Sequence, residues 1–359
     1  MFDCLTRGRR WSLGQGKLIF HHPQIDIFWE TPEDFLMPPL PVLGLAEYIF
    51  LTPFKEIVEL EPVTEAPVDI VHDEHHVPVV NGKTNVGVAF SGGIDSTAVL
   101  QLLPACVPIY TQVHKPSGMH KIENALLSVK EVDGVAVISN CDELPPIYGK
   151  SKGYYGNAGF TTTGILFSEY YNLHTLADGN VLETMYLFGP QGHGTKYREK
   201  DLSKTMAAFR SVGLEYSIPC AGMTEVLTTK IADKVGMKYS MGCMRGEGGA
   251  PCNNCLKCFR KRGLQGNPLP TNKEVEKKLD KEYIPMLPSL LWARDNKGLR
   301  HPKFNNIEMN ANWVDKWYPK SLEYIPEYLH KFFKNKIKEF KIEEMEDVNG
   351  LLSFSSKID

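Results

Sequence analysis

The chain has 359 residues, enough for one large domain with appendages or for two domains. Its 42% hydrophobic and 23% charged residues are the balance of an ordinary globular protein, and no run of about 18 apolar residues marks a membrane span. A net charge of −3 argues against a dedicated nucleic-acid binder, which carries a basic excess. The first residues, MFDCLTRGRRWSLGQGK, lack the apolar core of a secretory signal, so a cytoplasmic location is expected.

Residues 1–82 read as a β-rich N-terminal extension. KLIFHHPQIDIFWETP has extended, β-branched and aromatic character, and MPPLPVLG breaks it. EIVELEPVTEAPVDIVHDEHHVPVV is acidic, strand-like and punctuated by proline. Its His72, His75 and His76 read as exposed rather than metal-binding. VVNGKTN, residues 79–85, reads as a turn into the next strand.

Residues 83–265 alternate. A strand over 86–90 precedes a helix over 97–103, and CVPIYTQV reads as a strand. HKIENALLSVKEV reads as a helix with Ile122, Ala125, Leu126 and Val129 on one face, and GVAVISN as a strand. GILFSEYYNLHTLADG reads as a helix ending at Gly179, and NVLETMYLF as a strand. EKDLSKTMAAFRSVG and TEVLTTKIADKVG read as helices closed by Gly213 and Gly236. Such alternation predicts an α/β fold, a doubly wound and mostly parallel sheet. Residues 266–359 read as a helical C-terminal extension. Its basic stretch YLHKFFKNKIKEFKIEEME packs through Phe332, Phe333, Ile337 and Phe340.

At the first strand–helix junction stands SGGIDS, Ser91–Ser96. Gly92 and Gly93 let the backbone turn tightly and approach a ligand. The free amides of the helix start attract an anion, and the hydroxyls of Ser91 and Ser96 suit phosphate oxygens. Asp95 would repel a bare phosphate, which points to Mg²⁺ between them or to a role in shaping the loop. The G-x-x-x-x-G-K-[ST] of common nucleotide hydrolases is absent.

Eight cysteines are too few for a disulfide scaffold, yet Cys243, Cys252, Cys255 and Cys258 crowd together as C-x8-C-x2-C-x2-C. In a reducing compartment that spacing predicts four thiolates on one ion, a closed structural zinc site. An Fe–S cluster or free thiols are the alternatives.

The loop resembles the PP-loop, S-G-G-x-D-S, of the ATP pyrophosphatases. The resemblance implies ATP bound by Ser91, Gly92, Gly93, Ile94, Asp95, Ser96 and Tyr110, with Asp95 and Ser96 catalytic and Mg²⁺ as cofactor. Loop and cysteine cluster together, the latter followed by Arg260, resemble 7-cyano-7-deazaguanine synthase of queuosine biosynthesis over about residues 85–265. That family activates a carboxylate with ATP, adds ammonia to give an amide, and dehydrates the amide to a nitrile.

Several family positions differ. Tyr110, Gln112 and His114 match the stretch after the second strand, but Ile109 stands where the family has Asp. Thr162, Thr163 and Gly164 replace its G-R-N, and only Arg198 of GTKYR matches its Y-P-D-C-R. Its D-K-x-E falls near Thr224 and Glu225, without the Asp and Lys. A carboxylate acceptor needs a cation. Lys196, Arg198 and Lys230 are candidates, and Gln112 and His193 are candidate substrate contacts.

The expectation is therefore an adenylating ligase with an altered carboxylate acceptor and ammonia. The terminal extensions are expected to recognise the acceptor or a protein partner, with a homodimer as a further expectation. A tRNA-thiolating enzyme is the second reading, and it needs a reactive cysteine and a basic surface. A non-catalytic nucleotide binder is the third.

Overall fold

A computed structural model describes residues 10–54, 86–104, 106–114, 122–150, 156–187, 201–240, 243, 245–268, 270–281, 284, 286–309 and 311–355. The histidines at 72–76 and the turn at 79–85 lie outside them.

The first strands follow from period-two patterning. β1 (Trp11–Gly14), β2 (Lys17–His22) and β3 (Ile25–Glu30) form an antiparallel meander, with Leu18, Phe20, Ile27 and Trp29 buried. Gln15 and Gly16 join β1 to β2 with φ of 52° and 69°, the geometry of a tight two-residue hairpin. Helix α1 (Leu40–Leu51) begins with a proline in its first turn.

The alternating region then supplies β4 (Val86–Ala89), α2 (Ile94–Leu102), β5 (Cys106–Val113), α3 (Glu123–Glu131) and β6 (Val135–Ser139). After these come α4 (Gly156–Leu166), β7 (Thr175–Ala177), α5 (Ser203–Arg210), β8 (Glu215–Ser217) and α6 (Glu225–Val235).

Among the described residues eight strands form one mixed sheet in the order β1-β2-β3-β6-β5-β4-β7-β8. Every pairing from β6 to β8 is parallel. β3 joins β6 antiparallel through Trp29 and Ser139, so the N-terminal strands continue the sheet. Trp29 of β3 and Phe50 of α1 share a core with Ile109, Val137 and Leu176. Trp29 Nε1 also donates to Thr163 Oγ1 of α4 at 3.0 Å.

Successive residues of the central strands feed opposite cores. Ile109 and Leu176 join one cluster, while Tyr110 and Ala177 join the other with Val88, Val99 and Ile231. Burial on both faces makes a strand read as a continuous apolar run. That explains a correction at 164–188. The stretch read as one helix to Gly179 is α4, a turn and β7, and the stretch read as a strand contains a π-helical turn, Glu183–Leu187. β7 is three residues, all buried, and carries no alternation. Through the turn and just before it Val181, Leu182, Glu183, Met185, Tyr186 and Leu187 are all buried, so burial there carries no period that separates helix from strand. β8 was not foreseen.

Gly164 shows why α4 can lie on β7: a Cβ there would come within 2.5 Å of Leu176 Cδ1. Gly236 closes α6 in the left-handed conformation at φ 70°, as its sequence predicts. Past it come α7 (Leu256–Leu264), α8 (Lys273–Leu279), α9 (Leu287–Lys297), α10 (His330–Glu339) and α11 (Asn349–Ser353). α10 buries Phe333 and Ile337 in the core that also holds Val99 of α2. Among the described residues no helix is long and apolar enough to cross a membrane.

Candidate functional site

From β4 the chain runs outward through β5 and β6, then returns to the other side of β4 with β7. Ligands of open α/β sheets collect outside the strand ends at such a reversal. Ser91–Gly93 lies there. Gly92 takes φ +68°, and a Cβ on it would sit 3.1 Å from Ala125 Cα and from Ser128 Cβ of α3. No larger residue fits without displacing that helix. The buried Ser128 hydroxyl beside it has no hydrogen-bond partner among the described residues.

Gly93 precedes α2 in an extended conformation, and no side chain caps the helix. Its first amides are thus left to another acceptor. Inside the loop, Ser96 Oγ donates to Gly93 O at 3.0 Å and accepts from Ser91 N at 3.3 Å. The Ser91 and Ser96 hydroxyls are 3.3 Å apart. The β7 end closes on this loop, since a Cβ on Gly179 would lie 3.1 Å from Asp95 C and Ser96 N. Next to it the buried Asp178 accepts from Asn180 N at 3.0 Å and from the Tyr216 hydroxyl. Burial, and then Asp178, push the Tyr216 phenol well above its ordinary value.

Asp95 anchors a chain of charges. Its Oδ1 accepts from Thr228 Oγ1 of α6 at 2.6 Å and from Lys261 Nζ of α7 at 2.9 Å. Lys261 Nζ also reaches Glu225 Oε1 at 3.3 Å, and Arg260 holds the Glu225 carboxylate bidentately at 2.8 and 3.1 Å. Desolvation raises the Asp95 pKa, but Lys261 and the Thr228 hydroxyl outweigh it and the net shift is downward. Burial likewise lowers Lys261, and Asp95 and Glu225 reverse the shift.

Glu183 extends the chain. It is fully buried, and its Oε1 accepts from Glu225 N at 3.1 Å and Ser289 Oγ at 2.6 Å, while Oε2 has no partner among the described residues. Burial and the nearby Glu225 push its carboxyl up to about 7.

The four cysteines meet as their spacing predicts. The sulfurs of Cys243, Cys252, Cys255 and Cys258 all lie within 4.8 Å of one another. Four sulfurs at about 2.3 Å from a tetrahedral ion stand about 3.8 Å apart, and Cys252 Sγ and Cys258 Sγ are 3.7 Å apart. Backbone amides support two sulfurs, Cys252 N on Cys243 Sγ at 3.4 Å and Cys258 N on Cys255 Sγ at 3.5 Å. The donor set fits a metal ion held in a closed site.

This cluster is fastened to the Ser91–Ser96 side of the sheet. Asn124 of α3 donates to Ala250 O at 2.9 Å and accepts from Gly249 N at 2.8 Å, and Glu123 accepts from Gly248 N at 3.1 Å. α7 starts at Cys255, contains Cys258 and carries Lys261 to Asp95.

The other predicted residues are placed differently. Tyr110 is buried on β5, stacks on Phe160 with ring centroids 6.0 Å apart, and has its phenol raised to about 12 by burial. Gln112 is half-buried near the end of the same strand. Ile109 is a core residue, and Thr163 is engaged by Thr111 at 2.7 Å as well as by Trp29. Lys230 is on the surface, paired with Asp315 at 3.1 Å. His193, Lys196 and Arg198 lie outside the described residues. Sequence reasoning missed Lys261, Thr228 and Glu183. The only available signal was Lys257 and Lys261 four apart beside the last cysteine, which reads as a solvated basic face.

Residues 204–284 match a family described as a family of unknown function, DUF6395. That stretch contains α6, the four cysteines, α7 and α8. No curated protein matches the chain.

Proposed function

We propose that the chain is an ATP-dependent adenylating ligase of the PP-loop type, with a doubly wound fold, Mg²⁺ with ATP at Ser91–Ser96, and zinc on the four cysteines. The observation that carries this reading is the placement of SGGIDS: an uncapped helix start and two serine hydroxyls at the point where the strand order reverses. The amides and hydroxyls hold the β- and γ-phosphates. A substrate carboxylate oxygen attacks the α-phosphorus, pyrophosphate leaves, and ammonia displaces AMP to give an amide. A second adenylation, on the amide oxygen, and loss of AMP give a nitrile. When bound, Mg²⁺ would neutralise phosphate charge beside Asp95, while zinc would hold the start of α7.

The family positions that differ support an altered acceptor. Ile109, Thr163 and Gly164 are packed into the core, where Asp, Arg or Asn would lack room or partners. Thiolation is less well supported. Burial pushes Cys106 and Cys141 up to about 12 and Cys220 well above its ordinary value, so none of the three offers a thiolate.

The test is a product assay with Mg·ATP and ammonia, with and without 7-carboxy-7-deazaguanine, resolving AMP, ADP and the deazapurine by mass spectrometry. Acceptor-dependent AMP with amide or nitrile product would assign the parent reaction. AMP formation only with other carboxylates would assign an altered acceptor. ADP as the sole product would overturn the proposal.

A further inference from the structure

The phosphate site described so far has no cation of its own. The loop contains none, and its one charged residue, Asp95, is negative. A polyphosphate placed there needs positive charge from elsewhere in the chain. α7 presents three cations to this region, Lys257, Arg260 and Lys261, all in electrostatic reach of one another. Two are committed: Arg260 grips Glu225, and Lys261 bridges Asp95 and Glu225. Lys257 has no hydrogen-bond or ion-pair partner among the described residues, and Asp95 is the first carboxylate whose field it feels. It stands one helical turn before Lys261, so both side chains leave the same face of α7, and Lys261 Nζ is 2.9 Å from Asp95.

Resting on the ATP reading above, we propose that Lys257 binds the β- and γ-phosphates of the nucleotide, and the pyrophosphate they become, and that the cysteine cluster sets its position. Lys257 lies between Cys255 and Cys258. An ion that ties both sulfurs fixes the first turn of α7 and hence the origin of the lysine side chain. Lys261 does a different job: it holds Asp95, and its departure would leave Asp95 without that cation and Glu225 with Arg260 alone. Two cations of one helix thus divide the work, one keeping the loop's shape and one meeting the ligand.

The experiment is calorimetric titration of the full chain with Mg·ATP, inorganic pyrophosphate and AMP, comparing wild type with Lys257→Gln. Zinc content and melting temperature are measured on both. The expected result is affinity for ATP and pyrophosphate weakened about tenfold or more, the size of one charge-assisted contact, with AMP affinity, metal content and melting temperature unchanged. Lys257→Arg, which keeps the charge, is expected to restore most of the pyrophosphate affinity. Equal ATP and pyrophosphate affinity in wild type and Lys257→Gln would overturn the inference and leave the ATP reading standing. A wild type that binds neither ATP nor pyrophosphate would overturn the ATP reading itself, and this inference with it. Should Lys257→Gln lose metal or melt early, Lys257→Met and Lys257→Arg together decide: an equal loss of pyrophosphate affinity in both contradicts a charge role.

Discussion

The loop at Ser91–Ser96 and the cluster at Cys243–Cys258 solve their charge problem in opposite ways. The loop's side chains are satisfied from within the chain, Asp95 by Lys261 and Thr228 and Ser96 by Gly93, while the first amides of α2 are left to another acceptor. The cluster is balanced less fully: its four sulfurs lie within 4.8 Å of one another, and Arg245, whose charge reaches Cys252 and Cys255, is already paired with Glu274. A ligand at the loop adds to a turn already held in shape, whereas an ion at the cluster ties together four sulfurs that the chain alone supports only through backbone amides on two of them. Metal should therefore govern stability, and nucleotide should govern only local order.

The largest expected effect follows on the cluster side. Structural zinc is worth about 10 kcal/mol or more of folding free energy in small metal domains, comparable with the whole margin of about 5–15 kcal/mol of a typical domain. Cys255→Ser, or chelation of the ion, is expected to lower the melting temperature by more than about 10 °C or to give insoluble protein. A chelated wild type that melts unchanged would break the comparison.

On the loop side, Lys261→Met leaves Asp95 without its cation and Glu225 with one partner instead of two. Breaking a buried pair from one side costs about 3–5 kcal/mol, and chemical denaturation should report a loss of that order. A loss under about 1 kcal/mol would mean that Asp95 is effectively solvated.

Glu183 gives a pH-dependent prediction. Its carboxyl is raised in the folded chain from the ordinary 4.5 to about 7, so the folded state holds a proton that the unfolded state releases. Stability from this group is full below about pH 4.5 and falls as pH rises toward 7, by about 3 kcal/mol in all. Glu183→Gln keeps an acceptor for Glu225 N and Ser289. It should match wild type near pH 5 and exceed it near pH 8 in melting temperature. An equal effect at both pH values would show that Glu183 stays ionised.

The smallest effect belongs to Lys230. Its pair with Asp315 is exposed on both sides, and exposed pairs contribute about 0–1 kcal/mol. Lys230→Ala should leave both melting temperature and nucleotide affinity nearly unchanged. A clear loss of nucleotide affinity would return this residue to the site.

What was legible in the sequence was local. β4, the glycine loop and α2 occupy one continuous stretch, and the last three cysteines fall within seven residues, so their placement shows as spacing. β7 and the Glu183 turn were not legible, because a three-residue strand buried on both faces carries no period. Lys261 was hidden for another reason. LKCFRKRGL reads as a basic solvent face, and only the folded chain brings its buried lysine to a carboxylate 166 positions earlier. The N-terminal strands read correctly as extended, but their joining to β6, through the pairing of Trp29 with Ser139 and the Asn140 side chain bonded to Phe28 N and Asp26 O, is announced by no local pattern.

The central claim is that the Ser91–Ser96 loop holds a nucleotide. The most direct measurement is amide hydrogen exchange of the full chain, with and without Mg²⁺ and a non-hydrolysable ATP analogue. The account predicts slowed exchange in peptides covering residues 90–98, with lesser slowing over 255–262. Binding of the analogue with no change over 90–98, or no binding at all in metal-loaded protein, would contradict it.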